Sequence, residues 1–273
     1  MASTRGCGKS ITEKECSVVT ESQCVIYKKI DRAAWITLNR PESRNALSAE
    51  LVNELYQSIG IANGDASIRC IVITGNGSSF CSGADLKSPP GQTIAGAKSV
   101  SFAEVLKAIQ ESAKPVISCV NGSAFAGGLG LIGASDLSIA SNSAVFSFSE
   151  VRIGVIPAVI SVVCLPKLGI QNGMKLFLTG EKFTSEAAAT FGLINRSVED
   201  SQLKDAVREE IKAICLGGPK AIMETKRLVR QMCNSDPGQA FELATDWSVR
   251  MFQSEEGVEG INAFREKRKP NWQ

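Results

Sequence analysis

Two short turns rich in Gly and Ala carry the chemistry of this chain: Phe80–Leu86 (FCSGADL) and Asn121–Gly130 (NGSAFAGGLG). Each follows a run that reads as a buried strand, Cys70–Thr74 (CIVIT) and Pro115–Val120 (PVISCV), and each leads into a stretch able to start a helix. Small residues let the backbone approach a ligand with its N–H groups pointing outward. Two such turns side by side can hold one oxygen atom between two backbone donors, which is the construction of an oxyanion hole. A third element supplies a proton carrier. Glu150 follows the alternating segment Val145–Ser149 and precedes Val151-Arg152-Ile153-Gly154. In that mainly apolar setting a carboxyl has a raised pKa, which suits it to exchange protons with carbon. The alternative is an exposed Glu150 paired with Arg152.

The rest of the composition narrows the chemistry. The 273 residues contain no histidine. That excludes a Ser–His or Cys–His pair and an imidazole metal site, and leaves Asp, Glu, Lys, Tyr, Cys or water for proton transfer. No metal is expected. The nine cysteines lack metal-site spacing. Cys70, Cys119, Cys164 and Cys215 lie in apolar runs and read as small buried hydrophobes. Cys81 sits inside the first turn, where a small residue is useful, and is not read as a nucleophile. Free thiols point to a reducing compartment, the cytoplasm or an organellar matrix. A formal charge of +2 is too small for a broad nucleic-acid-binding face, and no apolar run reaches the roughly 20 residues needed to span a bilayer. Hydrophobic residues make up 44% and charged residues 21%, an ordinary balance for a globular α/β chain.

The elements that must position these turns read as follows. Val25–Tyr27 and Ala34–Leu38 are short strands around a turn at Asp31-Arg32. Ser48 caps a helix that runs to Ile61. Phe102–Ala113 is helical, and Leu137–Ala140 and Val145–Phe148 are short strands. From Ser185 the pattern turns helical: Ser185–Phe191, Leu203–Cys215, Pro219–Cys233, Ala240–Met251 and Glu255–Lys269. Strand, turn and helix recurring every 30 to 50 residues suggest stacked ββα units. Residues 1–24 read as a mobile or loosely packed extension. The core spans 25–200 and a helical region 201–273. Ser88–Gly96, with Pro89-Pro90-Gly91, is a loop of the kind that overlies a site.

Taken in order, five segments resemble the crotonase superfamily, the enoyl-CoA hydratase/isomerase family: Leu38–Ser48, Cys70–Leu86, Pro115–Leu131, Phe146–Ala158 and Gly260–Trp272. The resemblance covers about Gln23 to Pro270, and the background is most similar to branched-enoyl-CoA hydratases of the methylglutaconyl type. It implies an α/β ββα spiral with a C-terminal helical trimerisation region, assembling as a trimer or a dimer of trimers. It implies an acyl-CoA substrate, with coenzyme A entering as part of that substrate and no separate cofactor. By motif position it makes Ala84 and Gly127 the two donors to a thioester carbonyl and Glu150 the catalytic acid. Lys87, Gly128, Gly130, Pro157 and Ala158 become substrate-binding candidates, and Arg44, Phe264 and Lys267 hold the CoA nucleotide. Neither a nucleic acid nor a membrane is an expected partner. One departure matters. Hydratases of this family usually carry a second glutamate three residues after the second oxyanion glycine, where this chain has Gly130. One carboxylate fits Δ3,Δ2-isomerisation, while the background fits hydration; a non-catalytic acyl-CoA-binding paralogue is the third reading. The glycine itself reads as opened space facing the acyl group, either a missing base or room for a bulky chain.

Overall fold

The structure, a computed structural model, describes residues 20–21, 24–87, 99–233 and 235–273. The expected extension lies largely, and the loop 88–98 wholly, outside the described residues.

Eleven strands among the described residues form two sheets. In the larger one, β1 (Thr20–Glu21), β2 (Val25–Ile30) and β3 (Ala33–Leu38) pair antiparallel. β3 then continues in parallel through β4 (Cys70–Gly75), β6 (Val116–Val120), β8 (Leu137–Ser141) and β11 (Arg196–Val198). The central strands read as continuous apolar runs because both faces are covered. Their alternation decides which side each residue serves. Ile71 and Ile73 join the main core under α1 (Ala49–Gly64), α2 (Phe102–Glu111) and α3 (Gly127–Ala134). Cys70 and Val72 pack instead with Leu203, Val207 and Ile211 of α6 (Leu203–Leu216).

The smaller sheet positions the chemistry. Its order is β10 (Phe183–Thr184), β9 (Val145–Ser147), β7 (Ser123–Phe125), β5 (Ser79–Cys81), and β5, β7 and β9 run parallel. Each of these three-residue strands follows a longer strand of the first sheet, which gives the repeating unit anticipated above. Parallel neighbours end on the same side, so the segments that follow β5, β7 and β9 emerge next to one another. Those segments are Ser82–Ala84, Ala126–Gly127 and Phe148–Glu150.

The caps follow the sequence closely. The Ser48 hydroxyl accepts from Leu51 N at the start of α1, and Ser101 with Glu104 closes a reciprocal capping box on α2. α4 (Ala158–Thr179) has no counterpart in the sequence reading. Its opening run, AVISVVC, is rich in β-branched residues, and Pro166 and Gly169 interrupt it; the helix bends at Gly169, where φ is +70°. The first Gly/Ala turn does not pass directly into a helix within the described residues, since α2 begins only at Phe102. α5 (Ser185–Thr190) and α7 (Pro219–Cys233) fall where expected. α8 starts earlier, spanning Pro237–Phe252 with Asp236 as its cap, and α9 (Glu255–Arg265) stops before Lys267, which turns left-handed at φ +54°. Among the described residues no helix is long and apolar enough to cross a membrane.

Candidate active site

The two Gly/Ala turns touch. A Cβ built on Gly83 would sit 2.9 Å from Ala126 Cβ, 3.0 Å from the Phe125 carbonyl oxygen and 3.4 Å from Gly127 N. Gly83 has φ +92°, open to glycine and strained for other residues, so both the space and the backbone angle call for glycine here. A Cβ on Gly128 would run into the Cys81 carbonyl oxygen, so the start of α3 lies directly on the end of β5.

Neither candidate donor is used by the secondary structure around it. Leu47 N donates to Gly83 O at 2.8 Å and Asp85 N donates to Leu47 O at 3.1 Å. That single parallel bridge uses the groups on either side of Ala84, so the Ala84 N–H faces the opposite way. Gly127 is the first residue of α3, and the first N–H groups of a helix have no intrahelical acceptor. It is preceded by Ala126 at φ +47°, ψ −116°, a conformation usually left to glycine, held by Ala126 N donating to Ser147 O at 3.0 Å. α3 adds its positive end at the same place.

Glu150 lies in a 3-10 turn, Ser149–Ile153, just past β9. Its Oε2 is buried, and among the described residues it has no hydrogen-bond partner. Burial pushes its carboxyl above the ordinary value. The pairing with Arg152 does not occur. Arg152 instead donates from Nε to Gly180 O at 3.0 Å and from a terminal nitrogen to Thr179 O at 3.1 Å. Arg152 therefore ties the turn to the end of α4 and does not pair with the carboxylate.

Gly130 differs from expectation. A Cβ there would lie 2.6 Å from Ile160 Cγ2 and 3.3 Å from Phe102 Cε1. The glycine makes room for α4 and α2 rather than opening a gap toward an acyl group. Nor does the loop 88–98 carry an Asp or Glu that could replace the missing carboxylate.

The remaining candidates divide. Lys87, exposed, follows Ala84 by three residues, and its backbone N donates to Asp85 Oδ1. Pro157 is buried as the cap of α4, and Ala158 beside it is exposed. Arg44 is exposed and left-handed at φ +54°, with its carbonyl accepting from Ser82 N at 3.0 Å, which places it beside the first turn. Phe264 and Lys267 are exposed at the far end of α9. Their helix is tied to the chain's last residues, since Gly260 packs on the Trp272 ring. The Trp272 carbonyl accepts from Arg32 and Arg69, at the starts of β3 and β4. The chain reaches β5 and the first turn from the opposite end of β4, about 20 Å along for six residues of strand. Within one chain, the CoA candidates Phe264 and Lys267 are thus not brought to Ala84, Gly127 and Glu150. A cavity of about 530 Å³ among α7, α8 and α9 includes Phe264 and Trp272 but none of these three.

Several supports escaped the sequence reading. Arg40 bridges Asp85 Oδ2 at 2.9 Å and the Ala46 carbonyl at 2.8 Å. The Asn45 side chain, at a left-handed position (φ +56°), donates to Asn76 O and Ser79 O. Asn121 accepts from Gly75 N at 2.9 Å. Together these fix the path from β4 through β5 to the first turn. A short Asx-bearing segment between a strand and a helix was the available signal. Burial pushes the Cys81 and Cys164 thiols up to about 12, which keeps both protonated. Among the described residues no His/Cys/Asp/Glu group could hold a metal ion.

With this geometry in view, the similarities to known proteins are consistent. The family model for enoyl-CoA hydratase/isomerase matches residues 30–273. Enoyl-CoA hydratase EchA19 of Mycobacterium tuberculosis is 35% identical over 87% of this chain and 92% of its own length. The (E)-benzylidenesuccinyl-CoA hydratase of Thauera aromatica is 33% identical over 88% and 95%. Among solved structures, an enoyl-CoA hydratase from Shewanella pealeana superimposes with a TM-score of 0.83 at 30% identity, covering 91% of this chain and 96% of that one.

Proposed function

The chain belongs to the enoyl-CoA hydratase/isomerase family, enzymes acting on CoA thioesters, and we propose that it hydrates a 2-enoyl-CoA with Glu150 as its only acid–base group. The observation that carries this reading is the Glu150 carboxyl just past β9, whose buried Oε2 has no hydrogen-bond partner among the described residues, beside a β7 turn whose Gly127 N–H has no helical acceptor.

One carboxylate suffices for addition to one face. The substrate's thioester oxygen accepts hydrogen bonds from Ala84 N and Gly127 N. Glu150 takes a proton from water as the water oxygen bonds to C3, and the π pair moves to give an enolate on the thioester. Glu150 then returns that proton to C2 as the carbonyl re-forms. Water has been added, and the carboxylate is regenerated. The donors act only as charge develops on oxygen, so they lower the barrier rather than merely bind; each such donor is typically worth about 10²–10³ in rate. Gly128 lets α3 approach β5, and Lys87, Pro157, Ala158 and Arg44 surround the thioester and its CoA. Coenzyme A arrives with the substrate, and the reaction as written needs no other cofactor.

Ile160 and Phe102 favour a second reading. They pack against Gly130, which brings no side chain of its own, so no carboxylate at 130 joins Glu150 in gripping a water. The same group would then take a proton from C2 of a 3-enoyl-CoA and return it to C4. Four-carbon 2-enoyl- and 3-enoyl-CoA substrates in deuterated water separate the readings. A C3 hydroxyl with one deuterium at C2 on the same face supports hydration. A shifted double bond with no hydroxyl supports isomerisation, with C4 carrying the proton moved from C2, or deuterium to the extent that the protonated Glu150 exchanges with solvent first. Thioester binding without either product makes the protein a non-catalytic binder.

Exposed apolar side chains on the α4 and α8 surfaces, Ile170 and Phe241 among them, support assembly into a trimer or a dimer of trimers. Light scattering of the purified chain measures this directly, and a monomer would overturn it.

A further inference from the structure

The geometry points to Lys167 as a positioning residue for the oxyanion turn, acting through α3. This rests on the oxyanion reading above. α3 has eight residues, GGLGLIGA, with no polar side chain of its own. It presents Gly127 N at one end and its last carbonyls at the other, about 12 Å away. The last four carbonyls have no donor inside the helix: Leu131 O takes the Ser135 cap N–H at 3.2 Å, and Ile132 O depends on side chains from beyond α3. Lys167, on α4, provides the cation: Nζ donates to Ser135 O at 2.7 Å and to Ile132 O at 3.3 Å. Cys164 Sγ reaches Leu129 O at 3.4 Å, Ser135 Oγ bonds Leu131 O at 2.9 Å, and Ser138 Oγ bonds Ile132 O at 3.3 Å. Only Lys167 among these brings a positive charge to the negative end of the helix.

A short helix packed on glycines moves as one piece. Gly128, Gly130 and Gly133 leave no slack against Cys81, Ile160 and Cys164. A shift at the carbonyl end is therefore carried to Gly127 N. The charge on Lys167 is conditional. Burial brings its ammonium down to about 8, and Arg230 of α7 also lowers it, while Cys164 on its own helix and Asp136 just after α3 oppose the change. Asp136 is itself held by Lys226 at 2.7 Å and Arg230 at 3.0 Å. No sequence pattern marks Lys167; the role appears only once α4 is laid across the end of α3.

The experiment measures how strongly the enzyme polarises a bound thioester. The probe is four-carbon 2-enoyl-CoA carrying ¹³C at the thioester carbonyl, bound to the full-length protein carrying Glu150→Gln to stop turnover, and read by isotope-edited infrared spectroscopy. The expected result is a carbonyl stretch lowered on binding and partly restored toward the free value by Lys167→Met. In the background that retains Glu150, Lys167→Met should lower kcat about tenfold, as small misplacements of catalytic groups do, with KM changed less than about twofold. Lys167→Arg should preserve both. The polarisation should also fade in the Lys167 protein as pH rises through about 8 and stay constant with Lys167→Arg. A Lys167→Met protein that melts earlier but keeps the full carbonyl shift and kcat overturns the proposal. If that variant does not fold, the pH comparison decides, and equal pH dependence in the Lys and Arg proteins overturns it. No displacement of the carbonyl with Lys167 present would overturn the oxyanion reading itself, and the Lys167 role with it.

Discussion

Gly130 offers a sharp test because its environment is described atom by atom. Carbon atoms pack best at about 3.5–4.0 Å. A Cβ at position 130 would meet Ile160 Cγ2 at 2.6 Å, roughly 1 Å too close. The contact falls on the γ-methyl of a β-branched residue on α4, and such side chains have little χ1 freedom in a helix. Gly130→Ala therefore combines an overpacking cost of about 1–3 kcal/mol with a helix-propensity gain of about 1 kcal/mol, for a net loss of about 0–2 kcal/mol. Ile160→Ala alone leaves a cavity and costs about 2–5 kcal/mol. In the double variant the new methyl enters the space that Cγ2 vacated. The pair should then be more stable than the sum of the singles by about 1–3 kcal/mol. Urea unfolding with an unchanged m-value measures all three. Strict additivity would refute the contact on which the reasoning rests. The same geometry predicts that Gly130→Glu alone loses stability without gaining hydratase activity. Gly130→Glu with Ile160→Ala has room for a second carboxylate and should raise the ratio of hydration to isomerisation on four-carbon substrates; no rise in the folded double variant would remove the missing carboxylate as the limit on hydration.

Three other outcomes follow from the site. Glu150→Gln should lower kcat by about 10²–10⁴ while thioester binding survives, and near wild-type turnover would remove Glu150 from the mechanism. Because burial raises the Glu150 pKa in the folded state, its contribution to stability is present at low pH and lost as pH rises through that raised value. Glu150→Gln should therefore unfold at higher temperature than wild type at neutral pH, and activity should fall on the acid side as the carboxylate is protonated; a lower melting temperature for the variant would contradict the burial argument. Gly83→Ala must accommodate both φ +92° and a contact of 2.9 Å with Ala126 Cβ, so kcat should fall far more than affinity for the CoA moiety, as measured with a non-reactive CoA ester.

The sequence made the two turns and Glu150 visible because each depends on local features: runs of small residues after apolar strands, and a carboxylate among hydrophobes. It could not show why they meet. That follows from β5, β7 and β9 lying parallel in a second sheet, and strands of only three residues leave almost no period to read. α4 was hidden by the opposite problem, since its β-branched opening and internal Pro166 argue against the helix that tertiary packing imposes. The meaning of Gly130 was misread for a related reason. A glycine in a sequence says that something is close without saying what, and here it is Ile160 rather than open space. Arg40, Asn45 and Lys167 act on main-chain atoms far along the chain, and such pairings leave no spacing in the sequence.

Two local costs coincide at the point where these segments meet. Ala126 holds a backbone conformation normally reserved for glycine, and Glu150 buries a carboxylate oxygen that has no partner among the described residues. Each destabilises the fold and persists only because its surroundings fix it. For Ala126 the fixing contacts are the bond to Ser147 and the packing of Gly83; for Glu150 they are the Arg152 bonds that hold its turn to the end of α4. Nearby, Ser48 and Ser101 cap their helices in the ordinary way, and the left-handed Asn45 has its amide fully engaged. A chain selected only to fold would place glycine at 126 and an uncharged residue at 150. Keeping both expensive choices just past adjacent parallel strands, beside a helix start whose first N–H has no acceptor within the helix, is what a site built to hold an enolate and move one proton requires.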